Sequence, residues 1–356
     1  MHIRHLLPRS LCCLVAIGAL VVPATPAAVA VDGAGAGCVD LSVPVALVAG
    51  TAPTARVSGT WCRPAGWGAG GPGDVDVLLA GATYTRSYWN WPTDPARYSW
   101  LSRTVGAGRA VLAIDRIGSG ASTHPPGAAL DLTVDAATVH QVLGRLRATE
   151  PVGRVTLVGH SLGSGVALVE AATYHDVDRL VLTGMLHSVG SGLASTLASF
   201  APAPVTSLLG ALVGTTTSSP AGPDPGYLTT LPGTRMAAFY AASADPAVVA
   251  YDEAHRDVVA ATELAGYPTL LLPPALNLSR LVDVPVLAVA GQQDALLCGG
   301  TLDCTDPVAV RANELPFYPA APSLDVLTVP LTGHDVTLHP SSGATFSAVD
   351  AWICAH

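Results

Sequence analysis

The chain has 356 residues, 50% of them hydrophobic, and a formal net charge of −9. That length and composition allow one large domain with a sizeable core. The acidic balance argues against a nucleic-acid partner, which needs clustered basic side chains. All 17 basic residues are arginine, and the lack of lysine excludes Ser-Lys and Schiff-base chemistry.

The first predicted element lies outside the mature fold. His2, Arg4, His5 and Arg9 form a basic start, Leu11 to Val22 an apolar run, and Ala28-Val29-Ala30 a small-x-small cleavage site. This pattern predicts a secretory signal peptide over residues 1–30, because the apolar run is too short to be a comfortable membrane span. A lipid anchor at Cys38 is disfavoured, since Gly35 stands where a bulky aliphatic residue would be expected. No later stretch is long and apolar enough to cross a bilayer, so the expected location is extracellular. Export favours paired cysteines. Cys38 and Cys62 flank two strand-like runs, Cys298 and Cys304 are near enough to close a small loop, and Cys354 would then be left over. Five cysteines leave other pairings open. No Cys-x-x-Cys or histidine cluster at ligand spacing supports zinc, so no metal is expected.

Residues Leu41 to Val48 and Ala55 to Trp61 read as two strands, followed by the linker PAGWGAGGPG. Asp76 to Leu79 is a buried-strand candidate leading into the turn Ala80-Gly81-Ala82-Thr83-Tyr84. The aromatics Tyr84, Tyr88, Trp89 and Trp91 come next, either walling a pocket or packing beneath an overlying segment. Ala110 to Ile114 is a strand that ends in Asp115-Arg116-Ile117-Gly118-Ser119-Gly120. Thr133 to Arg147 is predicted to be helical, with Leu132, Val139, Leu143 and Leu146 spaced for one buried face.

The stretch RVTLVGHSLGSGVALVEAATY, Arg154 to Tyr174, organises the rest. Val155 to Val158 form a β-branched and aliphatic strand, and Ala167 to Ala172 continue as a helix. The chain must turn sharply between them. Gly159 and Gly163 remove the Cβ atoms that would collide there, and the turn lifts the Ser161 hydroxyl clear of the sheet. This Gly-x-Ser-x-Gly elbow resembles that of the α/β-hydrolase superfamily. The resemblance implies an α/β fold with a mostly parallel central sheet and helices on both faces. It also implies an oxyanion hole made from the backbone N–H of Leu162 and of Ala82 in the earlier glycine turn, where Ala80 replaces the usual histidine. Each such donor is worth roughly 3–4 kcal/mol in the transition state. The ending from Asp115 to Gly120 resembles the superfamily turn D-R-x-G-x-G, in which Asp115 and Arg116 would hold loops together.

Asp178 to Thr183 gives another strand, after which strand and helix alternation lapses from about 185 to 280. An insertion at this point resembles a cap, dividing the chain into core residues 31–184, a cap at 185–280 and core residues 281–356. Leu193 to Val213 is uncharged, with two prolines that break it, and Asp245 to Glu263 is predicted to be a more polar helix. An apolar cap favours a small-molecule substrate with an apolar part. His187, where the chain leaves the sheet, is a further pocket candidate, although a structural histidine is the better reading. Val284 to Val289 resumes the sheet and ends at Asp294; Leu324 to Val329 is the last strand, followed by Gly333-His334-Asp335; Ser347 to Cys354 closes with a helix.

Ser161, Asp294 and His334 fall in the superfamily order of nucleophile, acid and base. His339 is the main rival base, His160 should point away from the hydroxyl, and Asp335 cannot readily turn back onto the neighbouring ring. Asp303 and Asp306 are weaker acid candidates. The constellation implies acyl transfer without a cofactor: His334 deprotonates Ser161, Asp294 fixes the tautomer, and Ala82 and Leu162 hold the oxyanion. The expected function is a secreted carboxylic ester hydrolase. A serine exopeptidase on the same triad is the alternative, and a non-catalytic binding protein of this fold is a third.

Overall fold

The computed structural model describes residues 37–212 and 224–356. The predicted signal peptide therefore lies outside the described residues. Six strands come first: β1 (Gly37–Val45), β2 (Ala55–Arg63), β3 (Gly73–Leu79), β4 (Ala110–Ile114), β5 (Val152–His160) and β6 (Arg179–Thr183). Short β7 (Phe200–Pro202), β8 (Tyr227–Thr230) and β9 (Val259–Ala260) form a separate three-stranded sheet. β10 (Val286–Gly291) and β11 (Leu324–Val329) then return to the first.

The main sheet has eight strands in the order β1-β2-β4-β3-β5-β6-β10-β11. β1 and β2 pair antiparallel, as do β2 and β4, and every other pairing is parallel. Parallel strands covered on both faces read as continuous apolar runs. β4, β6 and β10 are buried throughout, as their sequences AVLAI, RLVLT and VLAVAG require. The arginine at the head of β6 is no exception in kind: its guanidinium reaches Thr156 and Asp74 instead of water.

Between the strands run α1 (Pro95–Tyr98), α2 (Trp100–Gly106), α3 (Leu132–Thr149) and α4 (Leu162–Tyr174). α3 begins where Asp131 caps the N–H groups of Thr133 and Val134, both at 2.8 Å. Its Leu132, Val139, Leu143 and Leu146 are all buried, the face predicted from their spacing. α4 is buried on nearly every side, so truncating a side chain such as Leu168 would cost about 2–5 kcal/mol.

Residues 184–285 leave the main sheet. They carry α5 (Leu193–Leu197), α6 (Ala203–Leu212), α7 (Arg235–Phe239), α8 (Pro246–Ala254) and α9 (Ala261–Gly266) besides the small sheet. The helix predicted over Asp245 to Glu263 is in fact two. His255 to Ala260 separate them because Val259 pairs in the small sheet with Leu228, and a tertiary pairing there overrides local helix propensity. The stretch from Leu193 likewise divides, with Phe200 to Pro202 becoming strand between α5 and α6. α10 (Pro307–Glu314) and α11 (Ser342–Ala355) complete the order.

Both expected disulfides are present: Cys38–Cys62 joins directly opposed residues of β1 and β2, and Cys298–Cys304 closes a loop just after Asp294. Asp115 and Arg116 hold loops together. The Asp115 carboxylate accepts from the Arg86 backbone at 2.7 Å and from Ala121 N–H at 2.9 Å. Arg116 is buried against Asp135, Glu263 and the carbonyl of Ala80, so it ties the turn after β3 to α3 and α9.

Candidate active site

The elbow is formed as its glycines require. Ser161 has φ 50° and ψ −118°, a strained conformation for a residue with a side chain. A Cβ on Gly159 would lie 2.4 Å from Ser164 Cα, and one on Gly163 would lie 2.3 Å from the Leu79 carbonyl oxygen. Only bare backbone lets β5, β3 and α4 approach so closely. Ser161 N–H donates to the Thr183 carbonyl at 2.8 Å, which pins the turn to the end of β6.

One cavity has Ser161, Leu162, Ala82, Tyr84, His160 and His334 in its wall. Neither the Ala82 nor the Leu162 N–H is engaged in a turn or loop hydrogen bond. His334 Nδ1 lies 2.8 Å from Asp294 Oδ2, and both residues are buried. The other ring nitrogen, Nε2, is buried without a hydrogen-bond partner. Burial pushes the His334 pKa down, but the charge and hydrogen bond of Asp294 more than offset this and leave it raised. The ring is thus fixed on one nitrogen and open on the other, in the cavity that Ser161 also lines.

The rest of the wall is mainly apolar, with Ser188 and Thr196 as its polar members. Phe200, Leu193 and Leu197 come from the first half of the inserted segment, Phe239, Leu264 and Leu271 from its second half, and Leu296 and Leu297 from the loop after Asp294. No Asp, Glu or Arg stands among the described residues that line the cavity.

The structure separates the pocket residues expected from sequence. Tyr84 reaches the cavity. Tyr88 and Trp89 do not: both are fully buried, Tyr88 stacking on the His160 ring at 4.4 Å and Trp89 packing edge-on against Trp100. Tyr88 thereby backs the elbow through His160, and Trp89 packs behind Tyr88. His187 is also away from the cavity wall. Its Nδ1 lies 2.7 Å from Glu314 Oε2 and its ring stacks on Phe317, the structural role favoured above. His339 is held by the N–H groups of Ala241 and Gly333, both donating to its Nε2, so it is not placed as a base.

A buried polar chain beside the elbow was not foreseen. His160 Nε2 lies 2.9 Å from Asp335 Oδ1, and Asp335 Oδ2 lies 2.5 Å from the Tyr84 hydroxyl. That hydroxyl is also 2.9 Å from Asp252 on α8, which Arg235 on α7 binds through Nε at 2.7 Å. Arg235 in turn donates to Thr83 at 2.8 Å. Burial lowers the His160 pKa against the opposing hydrogen bond and charge of Asp335. Burial acts most strongly on Asp335 and would raise it, but His160, His334 and the Tyr84 hydroxyl together outweigh that and hold the carboxyl below its usual range. Asp335 thus serves the histidine next to Ser161, not the one next to itself in sequence. The acid after Gly-His was legible, but its partner was not, because that partner is set by tertiary packing.

Comparison with known proteins agrees with the topology. No sequence among the curated proteins matches this chain. Among solved structures, an esterase from Thermogutta terrifontis superposes with a TM-score of 0.55 at 17% identity, covering 88% of this chain and 97% of that one. A 2-hydroxy-6-oxo-6-phenylhexa-2,4-dienoate hydrolase from a Rhodococcus species gives 0.53 at 17%, with coverage of 89% and 99%. A monoacylglycerol lipase from Paleococcus ferrophilus gives 0.52 at 16%, with coverage of 79% and 94%. At such identities the likeness establishes the fold alone. Residues 77–344 also match the sequence profile described as the alpha/beta hydrolase family. With most of the chain inside that match and the strand order in agreement, the chain belongs to the alpha/beta hydrolase family.

Proposed function

We propose that this chain is a secreted serine hydrolase that cleaves carboxylic esters with an apolar acyl or alcohol part. The observation that carries the reading is the His334 ring, fixed by Asp294 at 2.8 Å on one nitrogen and left without a partner on the other, in a cavity shared with Ser161. Attack of Ser161 Oγ on the ester carbonyl forms the new C–O bond as its proton passes to His334 Nε2. The carbonyl oxygen, now negative, is met by the N–H groups of Ala82 and Leu162. Collapse expels the alcohol, which takes the proton from His334. Water then attacks the acyl-enzyme with His334 again as base, releasing the acid and restoring Ser161. The sequence of steps needs neither metal nor organic cofactor.

The ester reading is favoured over the exopeptidase one by the cavity wall. A peptidase that reads a free terminus needs a charge to clamp it, and the described lining residues include no acid and no arginine. Residues 185–280 act as the cap, supplying Leu193, Leu197 and Phe200 to the apolar wall. Export is supported by the predicted signal and by the two disulfides; no helix among the described residues is long and apolar enough to cross a membrane. The test is fluorophosphonate labelling and hydrolysis of p-nitrophenyl esters of rising acyl length, beside Ser161→Ala and His334→Ala. The expected result is labelling and turnover in wild type and their loss in both variants. A folded wild type that neither labels nor turns over would remove the hydrolase reading.

A further inference from the structure

Outside the cavity wall, α3, the C-terminal part of α4 and the turn that follows it bring together His140, Glu170 and Asp176. Their ligand atoms, one per residue, all lie within 4.8 Å of one another. Glu170 is fully buried, and neither of its carboxylate oxygens has a hydrogen-bond partner. Asp176 Oδ1 is buried and unpartnered as well. His140 Nδ1 lies 2.9 Å from Asp176 Oδ2, and its ring is held by stacking on Tyr174 at 4.0 Å. A buried carboxyl group with no partner is costly, and two converging on one imidazole are a recurrent way of resolving that cost with a cation.

We propose that His140, Glu170 and Asp176 bind one divalent cation of the zinc type. The donor set selects the class: a neutral imidazole with two carboxylates suits zinc and its transition-metal neighbours, whereas calcium and magnesium favour oxygen alone. Atoms up to 4.8 Å apart must close to about 3.4 Å, the edge of a tetrahedron with ligands at ~2.1 Å. That asks each ligand to move inward by less than about 1 Å. The side chains of His140 and Asp176 are 42% and 22% exposed, which gives them that freedom and gives the ion its entry. Arg147 opposes the ion with a guanidinium 3.4 Å from Asp176 Oδ2. It also donates to the Asp176 backbone carbonyl, where it remains anchored when the carboxylate turns to the metal. The bound ion would clamp α3 to α4, the helix whose first turn carries Leu162.

The experiment uses the secreted full chain, freed of any tag and stripped with EDTA, titrated with zinc chloride by calorimetry and followed by thermal unfolding. One equivalent should bind. At a hundredfold excess over Kd the Tm should rise by roughly 4 °C. His140→Ala and Glu170→Gln should both lose the binding and the rise, with calcium and magnesium giving no rise in any protein. Metal-free Glu170→Gln should melt at or above wild type, because the amide removes the buried acid while keeping its shape, and this controls for folding. The proposal is overturned if zinc leaves the wild-type Tm unchanged, as it would if the two carboxyl groups simply share a proton. It is overturned equally if the zinc response survives in both variants. Fluorophosphonate labelling should be the same in all three proteins, so this result stands apart from the catalytic reading.

Discussion

Replacing Asp294 with Asn gives the sharpest test of how the proposed base is tuned. Asp294 Oδ2 sits 2.8 Å from His334 Nδ1 with both residues buried. At an effective dielectric of about 20, a full charge at that separation stabilises the imidazolium by roughly 6 kcal/mol. At 1.36 kcal/mol per decade this is about four decades of rate. The amide also offers a donor where the carboxylate accepts, which favours the tautomer with its proton on Nε2, the wrong nitrogen for a base. The expected fall in kcat/KM is therefore about 10⁴-fold, with the protein still folded. The pH profile adds a second readout. His334 must be neutral to act, so wild-type kcat/KM should rise with pH through a pKa above the ordinary 6.5, since Asp294 raises it against the effect of burial. In Asp294→Asn burial persists while the counter-charge is gone, and the acid limb should move below that value. The assay is p-nitrophenyl ester hydrolysis across both limbs, with circular dichroism as the folding control. A loss under tenfold, or an acid limb that does not move, would refute the assignment. A larger loss in Asp335→Asn than in Asp294→Asn would transfer the acid role to Asp335.

The remaining predictions concern stability. Asp257 is buried and its carboxyl is pushed up to about 6 by that burial. Its folded pKa exceeds the unfolded one, so wild-type stability should fall by up to about 3 kcal/mol as pH rises from ~4 through ~6. Asp257→Asn should gain Tm over wild type above pH ~6 but not near pH ~4; an equal difference at both would show that the carboxyl is not the cause. Gly163→Ala places a methyl against the Leu79 carbonyl and should cost about 3 kcal/mol or more in denaturant unfolding; an unchanged midpoint would contradict the close approach. Replacing Cys38 and Cys62 together by serine opens a link spanning 24 residues, worth about 3.5 kcal/mol by loop entropy. If β1 is dispensable as an edge, the loss will be far smaller.

Much of this molecule was legible because its key positions are set locally. The elbow glycines, the aliphatic strands and the Gly-His pair each follow from what a short segment must do, and the disulfide of β1 and β2 follows from the hairpin that brings opposed residues together. What was misread depended on partners remote in sequence. Val259 leaves a helical pattern because Leu228 is there to pair with it. Tyr88 and Trp89 were open to two readings from sequence, pocket wall or packing, and contacts with the His160 ring and Trp100 place them in the packing. The cluster of His140, Glu170 and Asp176 draws on two helices and a turn, so no spacing rule exposes it.

The chain of buried polar groups from Arg235 to His160 also bears on how the protein comes apart. Its members belong to the turn after β3, to the elbow, to the loop after β11 and to α7 and α8. Pulling any one away strands a charge in the interior, which costs about 3–5 kcal/mol. The stretch around α7 and α8 is therefore fastened to the main sheet by the same groups that hold His160 beside Ser161. The stretch around α5 and α6 has no such anchor among its described residues, and it leaves Leu197 and Val205 about half exposed. Amide hydrogen exchange should divide the insertion accordingly, with α5 exchanging through small local openings and α8 only when the whole domain unfolds.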